Sequence, residues 1–172
     1  MKLRNLLTIA SFILALPICA NAQDADLVSN PTAILHSDFD PFGASLRGVR
    51  LNDAAEQLEK LGQPTEENEY GWKFYWDGNG IRVQNGKVSE FGLGPKSLQR
   101  LGIQSTEQLE SRLGRADRVI NTTLLDDGKI TEYYYFKRHA KFAFDRAGRM
   151  FLANIFAETM SNPQTNETCE PK

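Results

Sequence analysis

From residue 45 to residue 156 the apolar positions follow two different periods, and the switch between them occurs twice. Ala54, Leu58 and Leu61 stand at i, i+4 and i+7, which predicts a helix. Asp53-x-x-Glu56 reads as the capping box that opens it, and Gly62 as the residue that ends it. In the same way Ser105-x-x-Gln108 opens a helix carrying Leu109 and Leu113 and ending at Gly114. After each glycine the alternation shortens to two residues, the period of a strand. Trp72, Phe74 and Trp76 alternate with Lys73 and Tyr75, Asp77-Gly78-Asn79-Gly80 turns the chain, Ile81 and Val83 alternate with Arg82 and Gln84, and Asn85-Gly86 turns it again into Val88–Leu93. The second half offers Tyr133–Phe136, Phe142–Phe144 and Met150–Phe156 as strands, with Ala147-Gly148 as a turn. Val119–Thr123, followed by Asp126-Asp127-Gly128, predicts one extra strand before them.

The two halves also match residue by residue at one constant spacing: Ser45 with Ser97, Leu46 with Leu98, Val49 with Leu101, Leu51 with Ile103, Asp53 with Ser105, Glu56 with Gln108, Leu61 with Leu113 and Gly62 with Gly114. The expected fold is therefore α+β, built from two tandem repeats over residues 45–94 and 95–156. Each repeat is expected to hold a short helix and a capped helix packed on a three- to four-stranded antiparallel meander. Trp72, Phe74, Trp76, Ile81, Val83, Tyr133, Phe142 and Phe144 are expected beneath the helices.

The flanks read differently. Lys2 and Arg4, the apolar run Leu6–Ile18 and Ala20-Asn21-Ala22 make residues 1–22 a signal peptide cleaved before Gln23, so the expected location is the periplasm or the medium of a bacterium. Its apolar run is shorter than the ~20 residues a membrane span needs, and no stable membrane anchor is expected. Residues 23–44 read as an extended N-terminal segment with a short strand at Ala33–Leu35, and residues 157–172 as a polar, disordered tail. Charge is balanced, 20 Lys and Arg against 22 Asp and Glu, and the leader removes two of the bases, which argues against a nucleic-acid partner. Of the two cysteines, Cys19 leaves with the leader, so Cys169 has no intramolecular disulfide partner in the mature chain.

The run Gly48–Pro64, the aromatic strand Trp72–Trp76 and the run Gly80–Val88 resemble the repeat of the BamE (SmpA/OmlA) proteins. The same α-then-β unit in tandem is similar to the secreted β-lactamase inhibitor proteins. The resemblance implies a non-enzymatic scaffold that holds another protein on a sheet surface. BamE proteins have one such unit and a lipid anchor, whereas this chain has two units and no acylation box.

Candidate chemistry is sparse. The only histidines are His36 and His139, and no nucleophile elbow, Walker loop, His-Glu-x-x-His or Cys-x-x-Cys is present. No cofactor and no metal are expected, and no enzyme activity. His36, Asp38 and Asp40 alternate, so an extended strand would place them on one side as possible metal ligands. Asp126-Asp127 reads as turn chemistry and Glu66-Glu67 as exposed loop charge. The opposite sheet face would carry Tyr75, Arg82, Gln84, Tyr134, Phe136 and Arg138, a composition enriched at protein interfaces. The expected function is an exported protein-binding module of inhibitor or immunity type acting through these six residues. A BamE-like envelope-assembly accessory is the first alternative, and a small envelope hydrolase or metal-binding protein using His36, Asp38 and Asp40 the second.

Overall fold

The computed structural model describes residues 25–124 and 128–158. The expected signal peptide, Asp126-Asp127, Cys169 and most of the expected tail lie outside the described residues. The fold is α+β, with few helices and one large antiparallel sheet.

A two-residue hairpin, β1 (Ser45–Leu46) and β2 (Val49–Arg50), turns at Arg47-Gly48, both at positive φ. The large sheet contains β3 (Glu66–Glu67), β4 (Trp72–Phe74), β5 (Gly80–Gln84), β6 (Lys87–Gly92), β7 (Arg118–Leu124), β8 (Gly128–Tyr135), β9 (Ala140–Phe144) and β10 (Met150–Phe156). Between the fourth and fifth of these come α1 (Pro95–Leu101) and α2 (Thr106–Leu113). The spatial order is β3-β4-β5-β6-β10-β9-β8-β7, so two meanders meet along β6 and β10, where Phe91 pairs with Ile155 and Gly92 with Asn154.

One face of this sheet carries the core. Ile81, Val88, Phe91, Phe142, Phe144, Ala153 and Ile155 are buried against Leu58, Leu101, Ile103 and Leu109 from the helical segments and Leu46, Val49 and Leu51 around the small hairpin. Burying these side chains supplies ~1.5–3 kcal/mol each of transfer free energy. Ser105 caps α2, its Oγ accepting from Gln108 N at 3.3 Å while Gln108 Oε1 accepts from Gln104 N at 2.8 Å. Asn85 and Gly86 both take positive φ in the β5–β6 hairpin, which a type I′ turn requires.

Four expectations change. The first half has no short helix at Ser45–Val49; that stretch is the β1–β2 hairpin, turned by Gly48. Its second helix, Ala55–Leu61, is a 3-10 segment, and Asp53 Oδ2 accepts from Arg50 N at 2.8 Å instead of capping it. The N-terminal segment is not extended. Pro31–Leu35 forms a 3-10 turn, and Leu27, Ala33, Ile34 and Leu35 belong to the core. Ser45 N donates to Ala25 O and Arg100 donates to Val28 O and Ser29 O, so the described part of this segment is packed into the fold. Finally, Glu66-Glu67 is a short edge strand and not a loop, with Glu67 ion-paired to Lys73 at 2.9 Å.

Candidate functional site

Directly paired residues share a face of an antiparallel sheet. Trp72 pairs with Arg82 and Phe74 with Gly80, while Lys73 pairs with the core residue Ile81. Trp72 and Phe74 therefore lie on the face opposite Ile81 and the core. The expectation that they sit under the helices with Ile81 is corrected by one residue of register. Tyr75, expected on the open face, is 4% exposed and belongs to the core. The cause is local: β4 ends at Phe74, and Tyr75 leads into a 3-10 turn at Trp76–Gly78, closed by Tyr75 N donating to Asn79 O at 2.8 Å. Burial raises the Tyr75 phenol pKa.

A row of paired positions crosses the open face from edge to edge: Glu66, Phe74, Gly80, Gly92, Asn154, Lys141, Tyr134 and Arg118. The two glycines in its middle make the site. A Cβ at Gly80 would stand 2.9 Å from Trp72 Cε3 and 3.1 Å from Phe74 Cε1, and one at Gly92 would stand 3.1 Å from Trp72 Cζ3. The indole thus reaches across β5 and lies over both glycines, where only a residue without a side chain leaves room. The rings of Trp72 and Phe74 are nearly parallel, 18° apart with centroids at 6.2 Å. Around them opens a groove of ≈ 570 Å³, lined also by Tyr70, Arg82, Glu90, Asn154, Leu152 and Phe151, and by Pro95 and Leu98 of α1. Phe151 occupies a β-bulge between Met150 and Leu152, which turns its ring out to 45% exposure.

Asn79 fixes the corner where the β4–β5 connection meets α1. Its amide is 1% exposed, donating from Nδ2 to Trp76 O at 2.9 Å, while Oδ1 accepts from Gly94 N and Ser97 Oγ, both at 3.0 Å.

The polar side of the groove is a chain of contacts. Arg82 donates from Nε to Tyr70 O at 3.1 Å and ion-pairs with Glu90 at 3.6 Å. Asn154 Nδ2 donates to the other Glu90 oxygen at 2.6 Å. Further across, Lys141 pairs with Glu132 at 3.4 Å and lies 5.8 Å from the centre of the Tyr134 ring. Tyr134 OH donates to Glu132 at 2.8 Å. Such partly exposed pairs add little stability, but they hold planar donors and acceptors in fixed positions. Among the described residues Glu90 is the one carboxylate lining the groove, and both its oxygens are engaged.

The six residues expected to form a single patch are not brought together. Arg82 lines the groove, and Gln84 is exposed near the Asn85-Gly86 turn. Tyr134 is on the open face but only 4% exposed; burial, and then its bond to Glu132, raise its pKa. Phe136 sits in the 3-10 turn Phe136–Arg138, its centroid 6.2 Å from that of Tyr134. Arg138 points away to the N-terminal segment, donating to His36 O. His36 ends the first 3-10 turn, so the extended strand that would align it with Asp38 and Asp40 is not formed, and among the described residues no three His, Cys, Asp or Glu gather as a metal site. Sequence reading missed Tyr70, Glu90, Lys141, Phe151 and Asn154. The available signal was glycine at the ends of apolar strand runs, Gly80 opening β5 and Gly92 closing β6, which marks close approach by another group.

Fold and site together define an α+β protein whose antiparallel sheet is covered on one face and grooved on the other. Among solved structures, a DUF4309 family protein (YjgB) from Bacillus subtilis subsp. subtilis str. 168 is similar at a TM-score of 0.50 and 17% identity, over 65% of this chain and 84% of that one. At that identity the likeness concerns the fold alone. No protein-family model and no curated relative matches the sequence.

Proposed function

We propose that this is an exported, non-enzymatic protein-binding module that holds its partner on the uncovered face of the sheet, in the manner of an inhibitor or immunity protein. One observation carries the reading: Trp72 and Phe74 are laid flat on a glycine floor at the mouth of a groove rimmed by Tyr70, Arg82 and Phe151. Large rings next to a guanidinium, already held in place, bury area on association at low entropic cost. Tyr70, 66% exposed, and Phe151 are among the exposed large apolar residues, and both border this groove.

We also propose that the two meanders descend from a duplicated BamE-like unit. The row Phe74, Gly80, Gly92 corresponds to Tyr134, Lys141, Asn154, and Gly92 and Asn154 pair with one another, as positions on a twofold axis would. Tyr75 and Tyr135 both precede a 3-10 turn and are equally buried. Gly62 and Gly114 end their helices with nearly the same backbone angles, φ 78° and ψ −162° against φ 79° and ψ −172°.

The test is affinity capture from an envelope extract with the processed chain, then titration of the captured protein against Tyr70→Ala, Trp72→Ala and Arg82→Ala. At least one is expected to lose about 2 kcal/mol, roughly 30-fold in affinity. Undiminished affinity in all three, with folding intact, rejects this face. Capture of outer-membrane assembly components would place the module with the envelope-assembly accessories.

A further inference from the structure

The two edges of the sheet are built unequally. β3 is two residues long and both are glutamates, a short charged edge of the kind that resists strand addition. β7 runs seven residues, Arg-Val-Ile-Asn-Thr-Thr-Leu, in unbroken register with β8. It contains no proline, no lysine and no bulge, and Val119 is 47% exposed. β9 pairs with β8 over Thr131–Tyr135 only, so Gly128–Ile130 and the facing part of β7 are hydrogen-bonded as two strands without a third. A two-stranded ribbon is marginal in water by itself.

We propose that β7 pairs with β7 of a second copy of this chain, antiparallel about a twofold axis at Asn121. That register sets Ile120 opposite Thr122, Val119 opposite Thr123 and Arg118 opposite Leu124, so no like charges face each other and β-branched residues fill the cross-strand pairs. The half of each β7 that faces Gly128–Ile130 then lies along the half of the other that is backed by three strands. The same operation at the β3 edge would set glutamate against glutamate. Because the twofold contact is isologous it closes, and the joined sheet presents only its two β3 edges outward; the assembly stops at a dimer. The groove on the open face is left uncovered, so this association is independent of the binding function proposed above.

Sedimentation velocity of the processed chain over a concentration series tests this. A reversible dimer is expected. Ile120→Lys/Thr122→Lys places lysines opposite lysines in both symmetric pairs and is expected to raise the dissociation constant at least tenfold, while circular dichroism reports the fold. Mixing that variant with Ile120→Glu/Thr122→Glu is expected to restore dimers, which a merely unfolded strand would not do. In a Cys169→Ser background, Asn121→Cys is expected to cross-link to itself under mild oxidation and Val119→Cys is not, because only residues directly opposite approach within disulfide reach. A monomer at every concentration, including one whose β7 is found paired with a foreign strand, overturns the proposal, as does a dimer unaffected by the lysine pair or cross-linked at Val119 in preference to Asn121.

Discussion

Adding one methyl group to the glycine floor tests the reading of the groove. In Gly80→Ala the new Cβ stands 2.9 Å from Trp72 Cε3 and 3.1 and 3.2 Å from two carbons of Phe74, against an ordinary carbon–carbon separation of about 3.5–4.0 Å. Both rings must lift by roughly 0.5 Å. Overpacking of this kind costs about 1–3 kcal/mol, and replacing a strand glycine returns about 0.5–1 kcal/mol, so the expected net loss is at most about 2.5 kcal/mol and centres on about 1 kcal/mol. The prediction sharpens in a double-mutant cycle. With Trp72→Ala the shortest contact vanishes, and Gly80→Ala should become nearly neutral. The resulting coupling, about 1 kcal/mol, exceeds the ~0.3–0.5 kcal/mol within which independent sites add. Urea unfolding of the four proteins, with midpoints compared at constant slope, measures it. Additivity would mean that the indole does not rest on Gly80, and the platform would be lost as the basis of the binding site.

Three other outcomes are expected. Asn79→Ala removes three hydrogen bonds, two of them buried, and orphans the Gly94 N–H, and should lower stability by about 3 kcal/mol, seen as a shift in the urea midpoint. Ile34→Ala, in the segment that sequence alone assigns outside the fold, should cost about 2–5 kcal/mol because the side chain is fully buried; a change under about 0.5 kcal/mol in the urea midpoint would return that segment to the surface. Burial pushes the Tyr135 phenol up to about 12, its hydroxyl donating to Gly114 O at 3.1 Å, whereas an unfolded tyrosine ionises near 10. The folded state keeps its proton longer, so that stabilisation is complete below pH ~10 and is lost as pH rises to about 12, at up to ~1.4 kcal/mol per unit. Urea midpoints of Tyr135→Phe should show a flatter decline over that range than those of the unaltered protein.

Local chemistry was legible in the order of residues. Asn85-Gly86 demands positive φ twice and becomes a tight hairpin wherever it is placed; Ser105 with Gln108 satisfies the orphan amides at a helix start; Gly62 and Gly114 end helices because a side chain there would be strained. Each of these rests on contacts within a few residues. The Asp53 box is not formed: its carboxylate accepts from the Arg50 amide, three residues back, and leaves the helix start uncapped. Alternation, too, gave two faces for β4, Trp72 and Phe74 on one and Lys73 and Tyr75 on the other, but alternation is symmetric and does not say which face is covered. Tertiary structure decided that. Gly80 and Gly92, one strand and two strands away, left space for rings on the open side, and the 3-10 turn drew Tyr75 inward. The burial of Leu27 and Ile34, the seam between β6 and β10 and the approach of Asn154 to Glu90 depend on residues far apart in the chain: Arg100 bonds Val28 across 72 residues, Arg138 bonds His36 across 102 and Asn154 bonds Glu90 across 64. No periodicity encodes those pairings; they are fixed by which surfaces fit when the whole sheet assembles.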